Sequence, residues 1–531
     1  MKAKRWLAGF LIQLLVLLIG AGALVARVDP FFHYHAPDTG RWFYPLDNQR
    51  SMNDGILRHF DYDAMITGSS MTVNFRTSEL DALFGTHAVK VPASGGSLYE
   101  IDGLVKTAIE AQPKLRMVVR SVDRNLLIYG SDVLRNDLGE YPFYLYDRNP
   151  FNDYKYLLNA DVVFGRTAAM LLQARQPGFT PGVTSFDEYS NTMETYRGAF
   201  GLPELDSMLQ YPVGTVGEPQ HLSERLRRAV VDNVGRNLVA TAKANPQIEF
   251  YYFFPPYSLA YWHDKLASGM IYEQLEAEQL AIEMMLECDN IHLYDFGDRM
   301  DLLSDVNNYR DLLHYGDWIN SLILREMCRE TYRLTKANAA DRMTRQLEAY
   351  STADYGSLLT QERYHCDYYA AALLNEELTG VAPRAIAETE LAAGELRRAA
   401  LSPDPDTGAP TLNCTGTLSR DPEQDLGAYL YGADYIGLKL DLPDAGMYSY
   451  LCFLGRNTAL SGRPAVFVYD ADGACVASCE AELTELVGGW QRFAVDLRGV
   501  TGPATVIFHG GDTDYNGSPA SSFAFKDFIL Y

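Results

Sequence analysis

An uninterrupted apolar run from Trp6 to Ala26, WLAGFLIQLLVLLIGAGALVA, constrains this chain more than any other feature. It holds no charge and a single polar residue, Gln13. About 20 apolar residues in a helix cover a bilayer's hydrocarbon core, whereas the apolar region of a cleaved signal is roughly 7–15 residues long. Residues 1–27 therefore read as an uncleaved transmembrane anchor, although AGALVA resembles a small-residue cleavage site. Lys2, Lys4 and Arg5 precede the run, and Arg27 and Asp29 follow it. The positive-inside rule then places the N-terminus in the cytoplasm and the body outside a cell membrane crossed once. No second run of comparable length and apolarity follows.

Length and charge narrow the rest. A chain of 531 residues has room for two or three domains. With 69 acidic against 45 basic residues, its surface suits neither nucleic acid nor anionic lipid as the main partner. The seven cysteines, Cys288, Cys328, Cys366, Cys414, Cys452, Cys475 and Cys479, show no CxxC or Cys/His zinc spacing and read as buried thiols. Cys475 and Cys479 fall on one expected strand, at a separation that prevents a direct bridge. His33 and His35 form an HxH without an acidic cluster and read as structural. No metal or cofactor is expected.

Beyond residue 60, short apolar runs alternate with amphipathic stretches. Strands are expected over Tyr62–Gly68, Ala88–Ala93, Leu115–Val122, Gln247–Phe254 and Ile291–Phe296, and helices over Ser97–Ala111, Leu222–Asn245 and Tyr272–Cys288. Continuous apolar strands separated by helices predict an α/β body, residues 28–335, with a parallel sheet covered on both faces. The ligand site of such a sheet lies beyond the carboxyl ends of its strands. A Tyr-, Asp- and Asn-rich insertion, residues 129–220, reads either as a lid or binding element or as scaffold decoration. A helical linker, 336–385, leads to residues 386–531, where YIGLKLDL, MYSYLCFL, AVFVYD and WQRFAVDL alternate with turns such as DADG and YNGSP. That rhythm predicts a β-sandwich of jelly-roll type. Trp490, Tyr431, Tyr435 and Tyr515 are candidates for stacking on sugar rings, with the hydrophobic core as their other destination.

Two motifs far apart carry the chemistry. ITGSSMT, Ile66–Thr72, ends the first strand, and NYRDLLHYGDWIN, Asn307–Asn320, follows the last. A serine hydroxyl is a weak nucleophile until an imidazole takes its proton. The imidazole in turn needs a carboxylate on its other nitrogen to fix its tautomer and orientation. In D-x-x-H, Asp311 and His314, one turn of chain supplies both. A serine just past a strand and beside a helix N-terminus also finds backbone N–H groups for an oxyanion. The bland alternative is capping: Ser69 and Ser70 cap the next helix, and Asp311 caps the helix holding His314. FFPPYS, Phe253–Ser258, forces an extended loop at the site edge, where Tyr257 faces the pocket or holds the loop.

G-S-S after the first strand, with D-x-x-H near the end of the body, resembles the SGNH/GDSL hydrolase superfamily. The resemblance is greatest to its membrane-anchored branch, which includes the D-alanyl-lipoteichoic acid biosynthesis protein and the alginate O-acetyltransferase-like proteins. It covers roughly Asp61–Arg325. It implies a flavodoxin-like three-layer α/β fold with Ser70 as nucleophile, His314 as base and Asp311 as its orienting carboxylate. Ser69 then stands where the family's G-D-S has aspartate. The second block, SGGS, implies an oxyanion donor at Gly96, preferred over Gly95. The third block is usually G-x-N-D, and this chain departs from it with RSVDRN, Arg120–Asn125, which leaves Asp123 and Asn125 as candidates to line the pocket.

Two functions are consistent with these features. The first is a serine-dependent O-acyltransferase or carboxylic ester hydrolase acting on a cell-envelope polysaccharide or teichoic-acid-like polymer. Its partner, implied by the resemblance, is a membrane-bound O-acyltransferase. The second is a non-catalytic surface glycan-binding protein whose α/β body is a degenerate SGNH scaffold. The altered third block favours the second.

Overall fold

The computed structural model describes residues 2–196, 199–202, 204–361, 381–405, 408–415, 435–457, 465–480, 490–497, 499–510 and 522–531. They form two compact units. The first comprises Met1–Thr195, Leu205–Asp305 and Asp311–Leu359, and the second Tyr196–Glu204, Val306–Arg310 and Thr360–Tyr531.

The first unit begins with α1, Lys2–Val28, a helix long and apolar enough to cross a membrane. Five parallel strands follow: β1 (Ala64–Gly68), β2 (Ala88–Pro92), β3 (Met117–Ser121), β4 (Glu249–Phe254) and β5 (Ile291–Asp295). Their order across the sheet is 2-1-3-4-5, the flavodoxin-like doubly wound order. Every residue of β1, β2 and β3 is buried, so both faces of the sheet are covered. The register pairs Gly68 with Pro92, Ser121 with Phe253, and Phe254 with Asp295, so all the carboxyl ends meet at one edge.

Local signals set the helices. α2 is Gln49–His59, α3 Thr77–Phe84 and α4 Leu98–Ala111. A capping box opens α4: Ser97 Oγ accepts the Glu100 N–H (3.2 Å), and Glu100 Oε2 accepts the Ser97 N–H (2.9 Å). Then come α5 (Glu224–Val234), α6 (Leu259–Ala267), α7 (Ile271–Met285), α8 (Asp317–Cys328) and α9 (Arg342–Thr352).

α9 corrects the expected linker at 336–385, because its Arg342, Gln346 and Tyr350 are buried and anchored to the end of β5. Arg342 and Arg124 both pair with Glu278 and Asp295, all four of them buried. Tyr350 donates to the Gly297 carbonyl (2.8 Å). Residues 362–380 of that expected linker lie outside the described residues.

The second unit is antiparallel. Its strands are β6 (Glu395–Arg397), β7 (Ala399–Pro403), β8 (Pro410–Thr415), β9 (Gly437–Leu442), β10 (Tyr450–Asn457), β11 (Ala465–Tyr469), β12 (Cys475–Glu480), β13 (Gln491–Asp496), β14 (Ala504–His509) and β15 (Ser522–Leu530). One sheet runs β7-β8-β15-β10-β13 and the other β12-β11-β14-β9-β6. Leu412, Phe453 and Phe525 of the first share one core with Leu438, Val466 and Phe508 of the second. Alternation along each strand supplies those inward faces. The DADG turn joins β11 to β12, with Gly473 at φ 79° and Asp470 Oδ1 accepting the Ala474 N–H (2.8 Å). Trp490 and Tyr435 are buried. Trp490 lies between Arg456 and Lys526, whose cations stand 4.5 and 4.3 Å from its ring centre, and Tyr435 donates to the Glu395 carbonyl (3.0 Å). Tyr431, Tyr515 and the YNGSP turn lie outside the described residues.

Candidate active site

β1 ends at Gly68, whose φ of 149° suits glycine alone and whose added Cβ would stand 2.2 Å from Ser121 Oγ. The chain therefore leaves the sheet sharply. Ser69 Oγ accepts the Met71 N–H (3.2 Å) and caps the short turn Ser70–Thr72. Capping thus falls to Ser69. The Ser70 hydroxyl instead stands 2.7 Å from His314 Nε2.

His314 is held from its own segment. Asp311 Oδ1 accepts the N–H groups of Leu313 (2.9 Å) and His314 (2.8 Å), which folds the D-x-x-H into a tight turn. The same carboxylate meets His314 Nδ1, at 2.8 Å from Oδ2 and 3.0 Å from Oδ1. Ser258 fastens this turn to the FFPPYS loop, donating to the Leu312 carbonyl from its N–H (3.2 Å) and its hydroxyl (2.7 Å). Burial alone would raise the Asp311 carboxyl, but the hydrogen bond and charge of His314 outweigh it and hold the carboxyl below its ordinary range.

The oxyanion candidates are placed differently from expectation. The Gly96 N–H donates to the Ala93 carbonyl (2.8 Å) and closes a turn whose third residue, Gly95, has φ 69°. Gly96 is therefore engaged within the turn. Among the described residues, no hydrogen bond is made by the N–H groups of Ser70 and Gly95. The Ala93 N–H donates to the Gly68 carbonyl (2.7 Å), which holds this turn against the end of β1.

Asp123 is buried beside the Ser69–Thr72 turn rather than lining an open pocket. Its Oδ1 accepts the hydroxyls of Ser69 (2.7 Å) and Tyr257 (3.1 Å), and its Oδ2 accepts that of Ser121 (3.0 Å). Burial pushes its carboxyl up, while the three hydroxyl donors oppose that rise. Tyr257, a candidate for either pocket or loop, holds the loop through this bond. Asn125 is half-buried, and its side chain makes no hydrogen bond among the described residues.

Three supporting residues escape a sequence reading. Ser121 and Ser258 are ordinary loop-edge serines until their partners are seen. Lys90 on β2 is wholly buried, and its Nζ donates to the carbonyls of Val73 (2.6 Å), Phe75 (2.8 Å) and Asp187 (3.3 Å). It ties the segment after Ser70 to the insertion, and burial pushes its pKa down to about 7. Only the placement of a lysine within an apolar strand hints at such a role.

His33 and His35 are positioned by Asp29, which accepts their backbone N–H groups (3.0 Å each). Among the described residues, no group of three or more His, Cys, Asp and Glu side chains converges as a metal site.

No protein-family model and no curated protein matches the sequence. Solved structures give slight likenesses. A glycoside hydrolase family 43 arabinoxylan arabinofuranohydrolase from Bacillus subtilis aligns at 17% identity over 24% of this chain, with a TM-score of 0.16. The aligned part spans 22% of that enzyme. A mutant family 29 carbohydrate-binding module aligns at 12% identity over 28% of this chain and 90% of its own length, with a TM-score of 0.17. The family 11 carbohydrate-binding module of a cellulosomal cellulase from Clostridium thermocellum aligns at 12% identity over 28% and 85%, with a TM-score of 0.16. Likenesses this slight establish neither the fold nor the function of this chain.

Proposed function

We propose that this chain is a membrane-anchored serine acyltransferase or esterase of SGNH type, working outside the cytoplasmic membrane on an acylated envelope glycopolymer. One observation carries the reading: Ser70 Oγ, His314 Nε2 and Nδ1, and Asp311 form a continuous hydrogen-bonded line at the carboxyl edge of a parallel sheet. His314 removes the Ser70 proton as Oγ attacks an ester carbonyl. The N–H groups of Ser70 and Gly95 are the donors we assign to the developing oxyanion. The imidazolium returns the proton to the leaving alcohol, which leaves an acyl group on Ser70. Water or a polymer hydroxyl, deprotonated by His314, then takes that group, giving hydrolysis or transfer. The tether supports a surface-bound polymer and an acyl donor delivered by a membrane-bound O-acyltransferase. Trp490 and Tyr435 are buried, so no sugar binding is proposed for them.

The test is hydrolysis of a chromogenic acetyl ester by the full chain in detergent. Turnover falls by on the order of 10³-fold or more in Ser70→Ala and in His314→Gln. Wild-type turnover in Ser70→Ala overturns Ser70 as the nucleophile, and no turnover by the folded wild-type chain leaves the non-catalytic alternative, which the altered third block favours.

A further inference from the structure

The insertion after β3 carries the largest exposed apolar side chains of the first unit outside α1. Phe151 is 88% exposed, Phe164 74%, Leu172 63% and Tyr154 59%. Single exposed apolar residues need no explanation, but a contiguous group marks an interaction surface. These residues lie on the short helices Tyr154–Leu157, Asp161–Ala168 and Ala169–Gln173 and on the loop before them. The first two of these helices pack directly on α1.

The level of that packing identifies the partner. α1 is exposed from Ala3 to Ile19, and its side chains begin to enter the body at Gly22, Val25 and Val28. A Cβ added to Gly22 would stand 3.6 Å from Leu157 Cβ and 3.9 Å from Leu158 Cδ2. Gly22 lies within the apolar run, four residues before its end at Ala26, or about 6 Å along the helix axis at 1.5 Å per residue. Covering about 30 Å of hydrocarbon takes about 20 residues, nearly the whole run. The body therefore grips α1 at a depth where bilayer still surrounds it. A polar surface there would lose its hydration, and Leu158 and Phe164 are among the exposed side chains of this segment.

The exposed Asp161 carboxylate lies within this segment, with Arg166 Nε 3.9 Å from it. Lys155 and Arg175 are exposed in and beside the segment, despite the acidity of the chain as a whole, and long cationic side chains of this kind can reach headgroups.

We infer that the segment from Phe151 to Leu172 is a membrane-contact element that beds in the bilayer interface around the anchor. It fixes the height and tilt of the α/β unit over the membrane. The inference rests on α1 spanning the bilayer. Aromatic and aliphatic side chains with flanking cations are the composition of such in-plane contacts.

The test places the photo-crosslinker p-benzoyl-phenylalanine, one position at a time, in full-length chain reconstituted into phospholipid vesicles. Positions 14, 151, 164 and 172 probe the anchor and the element, and exposed position 99 on α4 is the control. Lipid adducts at 14, 151, 164 and 172, with none at 99, are expected. An adduct at 14 but none at 151, 164 or 172 leaves the spanning anchor standing and overturns the membrane-contact element. No adduct at any of the four overturns both. Adducts between chains in place of lipid assign the surface to a second copy and overturn the lipid partner.

Discussion

Ser70 and His314 are 244 residues apart in sequence and 2.7 Å apart in space, and short-range choices around each fix that meeting. Ser69 takes the capping bond, Asp311 folds its own turn while gripping the ring, and Ser258 pins the turn from outside. Asp123 gathers three hydroxyls, from Ser69, Ser121 and Tyr257, and so holds the Ser69–Thr72 turn in place. Asp123→Ala strips Ser69, Ser121 and Tyr257 of their acceptor, at about 1–3 kcal/mol for a buried group left unpaired. It is expected to lower the thermal midpoint and kcat while leaving KM unchanged. An unchanged midpoint and kcat would contradict that role. The sign of the pH effect follows from the raised carboxyl. Above the ordinary value of 3.8 the folded chain keeps a proton the unfolded chain has lost, so stability falls as pH rises toward the raised value. Asp123→Asn removes that slope. Ser70, Asp311 and His314 are legible in the sequence because the chemistry demands those residue types and D-x-x-H is local. The three donors of Asp123 are not, because nothing in their own neighbourhoods distinguishes them.

At the scale of elements, the five strands announce themselves as apolar runs, and the structure places each within a residue or two of its expected span. The end of the α/β unit is less legible. α9 looks like solvent-facing helix, with Arg342, Arg345 and Glu348 in its sequence, yet Arg342 is wholly buried. Arg342 Nη2 meets Glu278 at 2.6 Å, and Arg124 Nη2 meets Asp295 at 2.7 Å. Asp295 also accepts the Gln346 side chain (2.9 Å) and the Gly297 N–H (2.9 Å). The partners of Arg342 lie 47 and 64 residues away in sequence, beyond any periodicity. The cluster also fixes Arg124, the neighbour of Asp123, whose Nε donates to the Pro255 carbonyl (3.1 Å). Removing one member of a buried ion cluster costs about 3–5 kcal/mol. Arg342→Met is therefore expected to lower the thermal midpoint by several degrees, whereas the exposed Arg345→Met leaves it nearly unchanged. Equal midpoints for the two would show that the cluster contributes nothing.

At the scale of the whole molecule, a helix able to cross a membrane leads into an α/β unit with a serine, a histidine and an aspartate in line. A separate unit of two antiparallel sheets follows along the chain. The alternation of short strands with turns made the second unit legible as β structure. Which of its aromatics are buried was not legible, because a strand's pattern of alternation does not say which face meets the core. The account stands or falls on Ser70 being the group that takes the acyl. The most direct measurement is reaction of the full-length chain with a fluorophosphonate, followed by peptide mass spectrometry. A single phosphonyl adduct on Ser70 is expected, absent in Ser70→Ala and formed far more slowly in His314→Gln. No adduct on the folded wild-type chain, or one that persists in Ser70→Ala, would contradict it.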